Sequence, residues 1–347
     1  MNFTSSQHYP EVQIASGIFL AIVSLAAAVG NGLLLVTICK DPFKAFRTPT
    51  TFFIIGLAVA DFLTGIIVCP IQESLRIAGY IGIKKNSWSF PFLQKAASVA
   101  NFISPITMNS SYIILLSLTW SQFLAISFPH KHKGLVTKRR AKASLMLTWA
   151  YTIAFAILYA SGVEKTVLFK VDLYVHTTGS LLLLTIAYFC LYKAFKRHMR
   201  RLHSLKENNL SRVNRRQRQF TIVNLLLLIF VIVCTLPITV VSYLHIYHTE
   251  SNTHPLKMKI AHLLSCNMLF LKFALDPLIY AWRLTQYRQA LKSLVTCRRH
   301  RVQIDDVISH WLDNQTLNTR RSQRPISNRE NVDIDQSMHG SLKPRII

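Results

Sequence analysis

Seven runs of apolar residues alternate with short polar links: 14–39, 51–73, 96–128, 143–162, 171–192, 219–247 and 258–282. A helix rises about 1.5 Å per residue, so each run is long enough to cross about 30 Å of hydrocarbon. The links hold polar residues and prolines, which belong outside the lipid. The pattern predicts an all-α membrane protein, a seven-transmembrane helix bundle over 14–297 preceded by an N-terminal segment, 1–13. No basic stretch or small-residue cleavage signature precedes the first run, so it is expected to remain as an anchor. A basic amphipathic run over 284–295 predicts one more, short cytoplasmic helix, and 298–347 reads as a polar, disordered tail.

Composition supports that class. Hydrophobic residues make up 51% of the 347 residues and charged ones only 16%, with a mean hydropathy of +0.29. Such a balance is unusual for a soluble domain. The formal charge of +25 would suit nucleic-acid binding, but the positive residues follow membrane sidedness instead. Lys40, Lys44 and Arg47 follow the first run; Lys131, Lys133, Lys138, Arg139, Arg140 and Lys142 follow the third; the link from 193 to 218 is denser still. The alternate links carry chiefly Lys84, Lys85, Lys165, Lys170, Lys257 and Lys259. The positive-inside rule then places the N-terminus outside and the C-terminus in the cytoplasm, with the basic face against anionic membrane lipid and no nucleic-acid partner. Asn2-Phe3-Thr4 is a glycosylation sequon suited to an outside terminus.

The six cysteines are Cys39, Cys69, Cys190, Cys234, Cys266 and Cys297. None falls in an outside link, so no outer disulfide is expected. No Cys/His zinc spacing occurs, and no metal or cofactor is expected. Cys297 follows the amphipathic run and stands either as a lipid-attachment site or as a plain cytoplasmic thiol.

Five of the runs carry motifs: Gly30-Asn31 in the first, Leu57-Ala58-Val59-Ala60-Asp61 in the second, Trp149 in the fourth, Cys234-Thr235-Leu236-Pro237 in the sixth and Asp276-Pro277-Leu278-Ile279-Tyr280 in the seventh. In that order the chain resembles the rhodopsin-like G-protein-coupled receptors. Within them it is similar to the group of melanocortin, adenosine, cannabinoid and lysolipid receptors. The aspartate in the seventh-run motif, the missing outer disulfide, the short link 162–170 and the absence of proline from the fifth run carry that finer likeness. The resemblance implies a plasma-membrane receptor, not an enzyme, with an extracellular ligand and a heterotrimeric G protein as candidate partners. A non-signalling protein of the same fold, acting as scaffold, decoy or trafficking partner, is the competing expectation.

The departures are informative. Where the family has Asp-Arg-Tyr after the third run, this chain has Ser121-Gln122-Phe123. The family's sixth-span acid falls at Gln217, twenty residues before Pro237, so Gln122 and Gln217 form a neutral version of the coupling face. The family's tryptophan switch is Thr235, which leaves Pro237 and Pro277 as the candidate bends. The amine-binding aspartate position is Ser104, and the adenosine-binding asparagine position is Ser242. Lys272 lies two residues from the opsin lysine position, Phe270; two residues are about 200° of helix, which argues against retinal.

Two groupings of polar residues follow. Asn31, Asp61, Ser111, Lys272, Asp276 and Tyr280 are expected near mid-membrane, where an acid or a lysine is costly and needs a partner. They form either a structural network or the sodium pocket that the resemblance implies around Asp61, and Lys272 either joins the acids or faces another helix. Glu73, Asn101, Ser104, Ser242, His245 and His262 are the polar groups available to line an outer pocket, with a loop or interfacial role open for each.

Overall fold

The computed structural model describes residues 9–42, 46, 48–81, 90–204, 211–247, 255–283 and 285–295, and all regular structure among them is helical. Seven helices are long and apolar enough to cross a membrane: Tyr9–Lys40, Pro49–Ala78, Phe90–Ser127, Lys138–Tyr159, Lys165–Arg197, Leu225–Tyr247 and Leu256–Ile279. This is a multi-pass membrane protein. Its spans are apolar around most of their circumference, because one face meets other helices and the other meets lipid. On the first span Leu20, Val23, Ala27 and Leu34 are buried while Ile18, Ile22, Leu25 and Val29 stay exposed.

The helices outrun the apolar blocks. The first begins at Tyr9 rather than residue 14, the third at Phe90 rather than 96, the sixth at Ser211 rather than 219, and the second continues to Ile81. Apolar runs measure hydrocarbon thickness, whereas a helical hydrogen-bond ladder continues through polar residues on either side. The fifth helix begins at Lys165, so the link before it is only 161–164 and not 162–170. A short helix, Pro129–Leu135, follows the third span and was not anticipated; proline suits its first turn, where no donor is needed. The amphipathic helix runs Thr285–Val295 and packs on the first and seventh spans. The tail 298–347, Cys297 and Asn2 lie outside the described residues. Of the remaining cysteines all five are free.

Two wide, π-helical turns interrupt the spans, Thr64–Val68 in the second and Asp172–Gly179 in the fifth. Such turns add a residue to the coil and re-aim the side chains around it. In the second span the turn brings Gly65 against the first: Ser24 Oγ donates to Gly65 O at 2.8 Å.

The third span is the hub, and four consecutive residues make it so. Asn109 bonds Asp172 of the fifth span at 2.7 Å, Ser110 bonds Thr152 of the fourth at 2.9 Å, Ser111 meets Asp61 of the second at 3.5 Å and Lys272 of the seventh at 2.6 Å, and Tyr112 bonds Thr235 of the sixth at 3.1 Å. Successive side chains step about 100° around a helix, so four in a row sweep its circumference. With little hydrophobic drive between helices in lipid, such hydrogen bonds and close packing decide which helices associate. Apolar packing completes the bundle in two clusters. One includes Leu57, Leu118, Leu184, Leu191 and Leu227; the other, on the first, second and seventh spans, includes Leu20, Val23, Val68, Phe270 and Phe273.

A methyl group added at Gly65 would sit 2.8 Å from the backbone nitrogen of Ala28 and 3.0 Å from Ala27 Cβ. Gly65→Ala is therefore expected to push the first two spans apart and destabilise the bundle by about 1–3 kcal/mol, read as a lower unfolding midpoint. An unchanged midpoint would contradict this packing.

Candidate functional site

The seventh span places Lys272 and Asp276 one helical turn apart on one face. Both are 1% exposed, and Asp61 of the second span is 0% exposed. The Lys272 ammonium lies 3.4 Å from Asp276 Oδ2 and 3.9 Å from Asp61 Oδ1, and donates to Ser111 Oγ at 2.6 Å. Phe273 covers it from one side, its ring centroid 4.6 Å away, and the Tyr112 ring stands at 6.0 Å. The lysine thus points to the acids and neither snorkels to an interface nor faces lipid.

Asn31 repairs the backbone beside this cluster. Pro277 has no N–H, so the carbonyl four residues earlier, on Phe273, loses its helical donor. Asn31 Nδ2 donates to that carbonyl at 2.9 Å, and also to Ala27 O at 2.9 Å. Gly30 allows the approach: a Cβ there would come within 2.7 Å of Pro277 Cγ. Asn31, Asp61, Ser111, Lys272 and Asp276 are therefore brought together, while the Tyr280 side chain lies outside the described ones.

The sodium pocket is a poor fit to these residues. An ammonium already stands between the carboxylates, and two unit charges 4 Å apart repel by about 4 kcal/mol at an effective dielectric of about 20. Asn31 Oδ1, Asp61 Oδ2 and Asp276 Oδ1 remain buried without a hydrogen-bond partner, so the cluster has spare acceptors but a resident cation.

A cavity of about 120 Å³ lies among the third, fifth, sixth and seventh spans, with Asn109, Tyr112, Asp172, Thr235, Thr239 and Ser242 among its walls. Of the anticipated pocket residues only Ser242 lines it. Asn101, His245 and His262 are exposed, Glu73 is half-buried, and Ser104 donates within its own helix to Met108 Sδ at 3.6 Å. His262 turns to Cys266, 3.7 Å away. The wide turn of the fifth span supplies the unanticipated part. Asp172 Oδ1 accepts from Asn109 and stands 3.1 Å from His176 Nδ1, while His176 Nε2 is 2.7 Å from Tyr151 Oη. An aspartate four residues before a histidine inside an apolar run was the available signal.

Thr235 at the family's tryptophan position is held by Tyr112 and has 0% exposure. Pro237 and Pro277 both lie inside continuous helices. Of the two glutamines expected at a coupling face, Gln122 is buried in the third span; the Gln217 side chain is outside the described ones, so their pairing is too.

Helix order, the aspartate and proline motifs and the central third span together define a seven-helix membrane bundle. The model of the family "7 transmembrane receptor (rhodopsin family)" matches residues 30–280. The chain belongs to that family. It is 24% identical over 312 residues to galanin receptor 2b of Danio rerio, covering 84% of this chain and 78% of that one. It is 28% identical over 168 residues to prokineticin receptor 2 of Homo sapiens, covering 48% and 41% respectively, and 25% identical over 144 residues to the alpha-1D adrenergic receptor of Mus musculus, covering 42% and 24%. In those last two relatives the matched part is less than half of their length. The fold is similar to that of squid rhodopsin, with a TM-score of 0.67 at 18% identity, over 84% of this chain and 87% of that structure.

The core geometry predicts indifference to sodium. Replacing sodium by a larger monovalent cation at constant ionic strength leaves the unfolding midpoint of the purified chain unchanged, whereas Lys272→Asn creates a sodium-dependent rise. A sodium-dependent shift in the unaltered chain contradicts the internal cation.

Proposed function

We propose that this protein is a plasma-membrane receptor that binds an extracellular ligand and passes a conformational change to a heterotrimeric G protein. One observation carries the reading: Tyr112 and Thr235, bonded to each other, line the cavity, and the Tyr112 ring stands 6.0 Å from the Lys272 ammonium. A ligand that displaces Tyr112 or Thr235 therefore acts on the third and sixth spans together and on the charged cluster beside Pro277. It shifts the bundle only as far as it binds one arrangement better than another. The distribution of lysine and arginine supports an extracellular N-terminus and a cytoplasmic C-terminus. Placement with the melanocortin, adenosine, cannabinoid and lysolipid receptors is part of the proposal. It rests on Asp276 in the seventh-span motif, the absence of cysteine from the outer links, and a fifth span without proline.

A non-signalling receptor-fold protein is the second reading, favoured by Gln122 where the family has its coupling arginine. A G-protein activation assay in cells separates the two: ligand-independent or ligand-driven activation supports the first, and none across all G-protein classes supports the second. With a neutral amide in the position of a cation, coupling is expected to be weak, and Gln122→Arg is expected to raise activation several-fold. Activation at the level of an ordinary receptor that the substitution leaves unchanged would overturn that expectation.

A further inference from the structure

Two cations are buried in the described bundle, and only one is neutralised. Lys272 has Asp61 and Asp276. Arg76, in the second span, is 7% exposed and has no carboxylate partner among the described residues. Its Nη1 donates to Ser16 Oγ at 2.7 Å, to Ser16 O at 3.3 Å and to Asn267 Oδ1, all neutral oxygens. Ser16 and Asn267 are engaged with each other as well, Asn267 Nδ2 donating to Ser16 Oγ at 2.8 Å. The nearest acid along the chain, Glu73, stands one turn earlier on the same helix, half-buried and in no ion pair among the described residues.

A guanidinium stays charged at any physiological pH and presents five donors in a planar fork. One of its nitrogens carries all the contacts, which leaves Nε and Nη2 without a hydrogen bond among the described residues. Neither is among the fully sealed unpartnered side-chain atoms of the described residues, which are on Asn31, Asp61, Ser121, His132 and Asp276. A charge held this deep without a counter-ion is costly, and two planar oxygens are what the free edge of the fork matches. The chain on either side of the site is mostly basic. The link after the second span carries Lys84 and Lys85, and the seventh span opens with Lys257 and Lys259.

We propose that Arg76 is the anchor of an anion-binding site between the first, second and seventh spans, taking a carboxylate or phosphate monoester. The site is separate from the cavity lined by Asp172. Ser16 and Asn267 hold Nη1 and so aim the free edge of the guanidinium; the anion takes a bidentate pair of charge-assisted bonds from Nε and Nη2. The anion comes either from an anionic lipid headgroup or from an amphiphile that diffuses to the protein.

Thermal unfolding of the full chain in nanodiscs tests this. In phosphatidylcholine nanodiscs, a monoacylglycerol phosphate and a free fatty acid are added separately, with the uncharged monoacylglycerol as control. In a second arm the nanodiscs contain phosphatidic acid and nothing is added. The site predicts a midpoint raised by several degrees by at least one anionic probe or by the anionic bilayer, and by none of the neutral ones; the arm that responds names the source. Arg76→Gln, which keeps an amide donor toward Ser16 and Asn267, loses the rise, and Arg76→Lys keeps only part because it lacks the fork. No anion-dependent rise in either arm, or a rise of equal size in Arg76→Gln, overturns the proposal and leaves Arg76 a structural tie. If Arg76→Gln does not fold, the contrast between charged and neutral probes on the unaltered chain and on Arg76→Lys decides. The readout requires no signalling, so a chain that couples but ignores anions refutes this site alone.

Discussion

A polar side chain buried among membrane-spanning helices has no water to turn to, and must find its partner on a neighbouring span. That requirement organises this bundle more than apolar packing does, because lipid and helix surface are almost equally apolar. Its consequence is clearest in Asn109, Ser110, Ser111 and Tyr112, four residues that tie the third span to five others. The same requirement fixes Asn31, whose amide takes up the Phe273 carbonyl freed by Pro277, and sets Lys272 between two carboxylates. Local backbone chemistry, helix association and the charged core are thus one problem with one solution.

Much of this was written in the sequence as apolar length and as isolated polar residues within it. Seven blocks gave seven spans, since hydrocarbon thickness dictates how many apolar residues must be consecutive. The cost of burying Asp61, Lys272 and Asp276 made their pairing one of the two arrangements open to Lys272, and it is the one the fold adopts. Other features left no such trace. Helix ends at Tyr9 and Phe90 pass through residues that obey the backbone ladder rather than hydropathy. The wide turns at Thr64–Val68 and Asp172–Gly179 depend on how neighbouring helices meet, which periodicity does not encode. That is why Ser242 was the one residue anticipated for the pocket that lines the cavity, and why Asp172, hidden in an apolar run, became visible only with Asn109 and His176 around it.

The chain keeps some of the family's motif residues and replaces others. Proline remains in the sixth and seventh spans, but a threonine held by Tyr112 stands where the family has tryptophan, and a glutamine where it has arginine. The galanin, prokineticin and adrenergic receptors it resembles share about a quarter of their aligned residues with it, and a common bundle does not by itself fix a common site.

If internal pairing holds the bundle together, the Lys272 and Asp276 energies cannot be independent, and a double-mutant cycle measures their coupling. Unfolding of the full chain in nanodiscs would be compared for the unaltered protein, Lys272→Met, Asp276→Asn and the double variant. Removing the lysine alone strands two carboxylates in a sealed core and is predicted to cost about 3–5 kcal/mol, with the double variant recovering a large part of that loss. Losses that simply add would contradict the account, because they would mean that the two groups share a core without holding it.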